Sequence, residues 1–344
     1  MEKKLVYVGF AYKHHKGTHA GYQHIKDCLK YDHLIECQKE FEFLFFDVKE
    51  ASVFKRLLRK LYAVTFGDGC PFALFRALVY SWKHPETVCF HIIYGDNIYA
   101  KFFYKLRRKN HKVVATVHQP FDNYMRSQKM KNKLLWPDEV IILSNNELQQ
   151  FNDFTGKDNI SYIPHGICTD FYKPLNKKTS YKESVLMVGN WLRDFDLAET
   201  VFTKLHAEHP EILIDMVGSV INRERFANLV NYHCGISDEE LLHLYQNCSL
   251  VYLPLLRFTA NNALLEAAAT GCKLVIATDN TDDNTYIPKD FIVISKRTVD
   301  DSIEAILKNI YSKDSNLSLR KYIIERFSWE VVAEEVRKLL QKRL

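Results

Sequence analysis

The chain has 344 residues, 47% hydrophobic and 26% charged, with 12 glycines and a formal net charge of +5. At roughly 150 residues per domain this length predicts two domains with real cores, and the composition excludes a single small module, long disorder, collagen-like repeats and low-complexity arrays. Neither a G-x-G-x-x-G nor a Walker loop occurs, which argues against phosphate cradles built from many glycines.

The first apolar strand, near residues 5–9, follows directly on the charged start, without the long apolar core of a signal peptide. No stretch approaches a membrane-spanning length, so the expected place is the cytoplasm, or the inner face of the cell membrane as a peripheral protein. Further strands are predicted near 42–46, 88–94, 113–117, 140–143 and 161–163, alternating with helical patterns as parallel sheets demand. The eight cysteines are never closer than nine positions, which excludes C-x-x-C knuckles and fits scattered reduced thiols.

After the first strand comes a loop reading His14-His15-Lys16-Gly17-Thr18-His19-Ala20-Gly21-Tyr22, with a helix expected from about Gln23. Amides at a helix start, imidazoles and a lysine suit a phosphate or hydroxyl group, while a solvated polar loop is the plainer alternative. His15 and His19 have no third metal ligand at a suggestive spacing. Farther on, Val53, Phe54, Leu57, Leu58 and Leu61 share a helical face flanked by Lys55, Arg56, Arg59 and Lys60. That pattern reads either as an interfacial helix or as a core helix with a basic outer side. Residues 1–170 hold 25 Lys+Arg against 18 Asp+Glu (+7), whereas 171–344 hold 22 against 24 (−2), so an anionic partner is expected for the front half. His118 follows the strand at 113–117, at the carboxyl end where binding groups sit in doubly wound sheets.

The alternation restarts after Tyr172-Lys-Pro174 and a polar stretch, Asn176 to Ser184, with linker composition. Strands are predicted near 185–188, 212–217, 250–253, 273–277 and 291–294. The loop after the first of these, Gly189-Asn190-Trp191-Leu192-Arg193-Asp194-Phe195-Asp196, offers a guanidinium suited to diphosphate oxygens. Its D-x-D could hold a divalent ion, but Asp beside a helix start is an ordinary cap. Ser237-Asp-Glu-Glu240 is a capping box. After the strand at 250–253, Thr259, Asn261 and Asn262 open a helix that Gly271 ends. Free amides there would meet a phosphate, and Glu266, about one turn in, could accept two ribose hydroxyls or merely favour the helix dipole. The last helix begins after Ser328 and carries Trp329, Val332, Ala333, Val336, Leu339 and Leu340 on one face.

His118, the run Ser161-Tyr-Ile-Pro-His165-Gly-Ile-Cys-Thr-Asp170-Phe-Tyr-Lys-Pro174, Val188-Gly189, the Ser237 cap and Asn261-Asn-Ala-Leu-Leu-Glu266-Ala-Ala-Ala-Thr-Gly271 resemble, in order and over nearly the whole chain, retaining glycosyltransferases of the GT-B fold, family-four type. The resemblance implies two doubly wound Rossmann-like α/β domains facing across a cleft. These would be an acceptor domain at 1–172, a nucleotide-sugar domain at 173–327 and a helix at 328–344 crossing back to the first domain. It implies a metal-independent hexosyltransferase acting with retention, with a nucleotide-sugar donor as co-substrate and no other cofactor. Its partners would be a glycan or lipid-linked acceptor and an anionic membrane surface, with no nucleic acid.

By position, Glu266 matches the ribose-binding glutamate and His118 the sugar-contacting histidine, which with Arg193 form the catalytic set. Gly189, Asn190, Arg193, Thr259, Asn261, Asn262, Ala263 and Glu266 would hold the donor nucleotide and its diphosphate, and His15, His19, Gly21 and Tyr22 the acceptor or a phosphate. Two positions depart from the family: Phe258 stands where an acid usually contacts the sugar, and Asn190 and Asp196 replace the usual Arg and Lys. A nucleotide-sugar epimerase on the same fold and a non-catalytic two-domain sugar- or nucleotide-binding protein stay open, since a fold does not set a reaction.

Overall fold

A computed structural model describes residues 3–45, 52–66, 69–175, 183–257, 261–279, 287–311 and 315–343. The chain divides into two units, one of residues 1–16, 21–165 and 332–344, the other of residues 17–20 and 166–331.

The first unit holds a six-stranded parallel sheet: β1 (Lys3–Gly9), β2 (His33–Glu36), β3 (Thr87–Ile92), β4 (Lys112–Val117), β5 (Glu139–Ile142) and β6 (Ile160–Tyr162), in the order β2-β1-β3-β4-β5-β6. Val6, Val8, Val88, Phe90, Val113, Val114, Val140 and Ile141 are fully buried, the near-continuous apolar runs of strands covered on both faces. Its helices are α1 (Ile25–Cys28), α2 (Gln38–Phe45), α3 (Val53–Phe66), α4 (Pro71–Lys83), α5 (Lys101–Leu106), α6 (Phe121–Met125), α7 (Gln128–Leu135) and α8 (Leu148–Thr155). The strand expected near 42–46 is absent: residues 42–45 belong to α2, and residue 46 lies outside the described residues. Phe41 of that helix stacks on Phe10 at 3.5 Å between ring centroids, so packing overrides a Glu-Phe alternation that reads as a strand. The strand that does pair with β1 is the edge strand β2, where only Ile35 is buried.

The second unit holds β7 (Ser184–Val188), β8 (Leu213–Val217), β9 (Asn231–His233), β10 (Leu250–Pro254), β11 (Leu274–Ala277) and β12 (Val293–Ser295), all parallel. Their order is β12-β11-β10-β7-β8-β9, the doubly wound arrangement in which the first strand lies centrally. Along β10 side chains alternate between two cores: Leu250 and Tyr252 pack with α9 (Phe195–Glu208) and α13 (Val299–Ile310), while Val251 and Leu253 face α12 (Asn262–Ala269) and α14 (Leu317–Phe327). The remaining helices are α10 (Arg223–Phe226), α11 (Asp238–Asn247) and α15 (Trp329–Arg343), the last ending within the first unit.

Candidate active site

In the second unit strand order reverses between β7 and β10, and ligands of such sheets bind where the loops after those two strands part. Here the two loops are stitched together by a bridge between Arg193 and Leu255, and by Leu256 N–H donating to the Leu192 carbonyl at 3.0 Å. Gly189 turns the chain with φ 98°, and a Cβ there would lie 2.9 Å from Arg193 Nη2, so both the turn and the guanidinium's seat require glycine. Arg193 is buried. It donates from Nε and Nη2 to the Val188 carbonyl (3.0 and 2.9 Å), from Nη1 to the Trp191 carbonyl (3.1 Å) and from Nη2 to Asn261 Oδ1 (3.1 Å). Four of its five N–H groups are therefore committed within the unit. Burial lowers its pKa to about 10, with Tyr245 and Glu266 acting in the opposite sense, and it stays cationic at neutral pH.

Asn261 caps α12, its Oδ1 accepting also from Leu264 N–H at 3.3 Å, so one amide oxygen joins the guanidinium to the helix start. Asn262 and Ala263 form the first helical positions. Glu266, one turn on, is buried, and its Oε2 accepts from the Tyr245 hydroxyl at 2.9 Å. Burial raises its pKa to about 7 and the Asp238 charge adds to this, against the lowering effects of Tyr245, Tyr172 and Arg193. Asp238 opens α11 beside the capping box of Ser237 and Glu240. It accepts from the His19 backbone N–H and, at 2.9 Å, from His19 Nδ1, whose ring stacks on Phe171 at 3.6 Å.

Asn190 is exposed, with Oδ1 accepting from Ser219 N–H at 2.9 Å. The D-x-D residues are spoken for: Asp194 caps α9 by accepting from Leu197 N–H at 3.0 Å, and Asp196 pairs with Arg225. No cluster of three or more His, Cys, Asp or Glu suited to a metal occurs among the described residues. Thr259 and Phe258 lie outside the described residues.

In the first unit the reversal falls between β1 and β3. Asp96, after β3, is buried and accepts from His118 N–H (2.8 Å), His118 Nδ1 (3.2 Å) and the Tyr124 hydroxyl, while Lys133 donates to its backbone carbonyl. Burial alone would raise the Asp96 pKa, but the hydrogen bonds and charge of His118 prevail with the Tyr124 bond and hold it below the usual carboxylate value. With Nδ1–H given to the carboxylate, His118 Nε2 is left buried and without a hydrogen-bond partner. Tyr22 is fully buried, edge-on to His118 at 5.2 Å and to His165 at 5.4 Å. Gly21 has φ 99°, and a Cβ there would approach His15 Nδ1 to 2.6 Å. The expected loop set thus separates: His15, Gly21 and Tyr22 belong to the first unit with His118, where Tyr22 meets its ring, and His19 belongs to the second unit with Asp238.

Neither a protein-family model nor a curated protein sequence matches the chain. Solved structures do. HepE from Anabaena in complex with UDP is 11% identical with a TM-score of 0.66, over 98% of this chain and all of its own. The chain has the GT-B fold of glycosyltransferases. The lipopolysaccharide outer core galactosyltransferase WaaB shares this fold at 13% identity and a TM-score of 0.65, over the whole of both chains. TarM from S. aureus, in complex with fondaparinux, alpha-GlcNAc-glycerol and UDP, is 16% identical with a TM-score of 0.56 over 74% of this chain, which spans 55% of TarM's length. Identities of this size carry the GT-B fold and no substrate.

Sequence reasoning missed Asp96, Tyr124, Tyr172, Tyr245 and Asp238. Asp96 had a signal, an acid directly after a predicted strand. The tyrosines had none, because only strand order brings residues 172, 245 and 266 together.

Proposed function

We propose that the chain transfers a hexosyl group from a nucleoside-diphosphate donor to a glycan or lipid-linked acceptor at an anionic membrane surface, with retention at the anomeric carbon and without a metal ion or further cofactor. One observation carries the reading: a buried carboxylate, Glu266, one turn inside a helix that opens at the strand-order reversal of the second unit. A carboxylate there can accept both hydroxyls of a ribose, while helix-start amides receive a phosphate. The Arg193 cation contributes positive potential and holds the cap, and charge gathering on the departing diphosphate is the load this arrangement suits. His118, oriented by Asp96, keeps one ring nitrogen for a sugar hydroxyl. That the HepE and TarM structures contain UDP supports a nucleotide donor.

Titration of nucleoside diphosphates by calorimetry, followed by NMR of the product formed from the best donor, tests the proposal. Expected are binding of one nucleoside diphosphate, slow donor hydrolysis without acceptor, undiminished turnover in EDTA and an axial product from an axial donor. Loss of turnover in EDTA restored by Mn²⁺ removes metal independence, and an inverted anomer removes retention. Interconversion of nucleotide sugars without transfer marks an epimerase, and binding without turnover a binding protein.

A further inference from the structure

α4 is apolar on both sides. Its inner face, with Ala73, Leu74, Ala77 and Leu78, is buried as a helix against a parallel sheet requires. Its outer face repeats Phe72, Phe75, Val79 and Trp82, each on the next turn of one stripe, and Phe72, Phe75 and Trp82 are 54%, 52% and 49% exposed. Leu106, ending α5, is 54% exposed and adjoins the stripe, since Trp82 Nε1 donates to its carbonyl at 3.0 Å. Solvent-facing helix sides are ordinarily polar, and aromatics aligned over several turns differ from scattered single ones.

The sequence flanking the stripe is mainly basic. Residues 52–83 contain six Lys and Arg against a single acid, Asp68, and residues 101–112 contain six and no acid. Arg108 Nη2 donates to the Trp82 carbonyl at 2.8 Å, fixing a cation at the end of α4, and Arg76 is exposed between Phe75 and the next turn. The nearby carboxylate of Glu40 is engaged by the Phe72 and Ala73 amides at the start of α4. α3 repeats the pattern: Val53, Phe54 and Leu57 are exposed, while Arg59 turns inward and its Nε donates to the Phe43 carbonyl.

We propose that the outer stripe of α4, continued by Leu106, seats on an anionic lipid surface. Phe and Trp rings suit the boundary between headgroups and acyl chains, and the surrounding cations suit headgroup phosphates. This deepens the acceptor side of the proposed function and rests on it only for its purpose.

The test is flotation of the full chain with vesicles of equal parts phosphatidylglycerol and phosphatidylcholine, against phosphatidylcholine alone. The wild type is expected to float with the anionic vesicles and to be released by salt. Phe72→Ser/Phe75→Ser, both exposed positions, is expected to lower vesicle affinity about tenfold or more while keeping the melting temperature and nucleotide affinity. Leu317→Ser, an exposed apolar position of the second unit, is expected to float like the wild type. Failure of the wild type to float, equal flotation of the double variant, or self-association abolished by that variant without vesicle binding, which marks a second copy as occupant, overturns the proposal. Nucleotide binding is scored separately, so flotation without it overturns the proposed function and leaves the surface standing.

Discussion

Glu266 is buried with a pKa of about 7, against about 4.5 for the free side chain, and that difference has two consequences of opposite use. Between those values the folded chain holds a proton that the unfolded chain releases, so stability falls as pH rises through this window. A ribose diol, in contrast, binds the ionised carboxylate better. For wild type, affinity for the nucleoside diphosphate it binds best is therefore expected to rise from about pH 5.5 to about pH 8. Glu266→Gln should flatten that profile, bind about tenfold more weakly at the upper pH, and gain melting temperature there relative to wild type. Calorimetry and thermal melts at both pH values check this, and equal affinity of the two proteins at high pH would falsify the ribose assignment. Asp96 is a positioning residue in the same account. Asp96→Asn places an amide N–H against His118 Nδ1 and favours the other tautomer, so kcat should fall about tenfold or more with nucleotide affinity intact, and its pH profile should move; a proportional loss of both constants would indicate a structural role. The place of residue 266 one turn inside a helix was legible in the sequence because the Asn261 cap and alanine-leucine run announce one. Arg193 was legible as a loop cation, but its commitment to the Val188 and Trp191 carbonyls was not, because that depends on a turn the sequence marks only by Gly189.

Among elements, the interior strands announced themselves, as did the outer strands β6 and β12, while the outer strands β2 and β9 did not. β4, β7 and β10 read as Val, Ile and Leu runs because both their faces are covered, whereas β2 and β9 are short, polar outer strands with one side toward water. α2 was mistaken for a strand because Glu-Phe alternation fits a period of two; the contact that makes it a helix, Phe41 on Phe10, lies 31 positions away in sequence. The final helix was legible from its stripe, and its start depends on one small residue. A Cβ on Gly166 would lie 2.3 Å from the Trp329 ring, next to the bridge between Ile167 and Ser328. Gly166→Ala is therefore expected to destabilise by about 1–3 kcal/mol through overpacking, seen as a lower urea midpoint with unchanged slope. An unchanged midpoint would mean that α15 shifts without cost.

At the scale of the whole chain, the two sheets are built differently despite similar size. The second follows the dinucleotide-type order with its first strand central, and the first places β1 next to the edge. The charge surplus legible in the sequence belongs to the first half, and its basic runs fall on α3, at α5 and the turn after it, and at α7. Neither unit is a continuous stretch of sequence, since residues 17–20 go with the second and 332–344 with the first. A recombination seam must respect this interleaving. Grafting a foreign donor half is expected to succeed when residues 166–331 are exchanged together with 17–20 and the host keeps its own tail. A single joint at 165/166 would strand two segments with the wrong owner, and scanning calorimetry should then show broad, separate melts where the interleaved graft gives sharp ones.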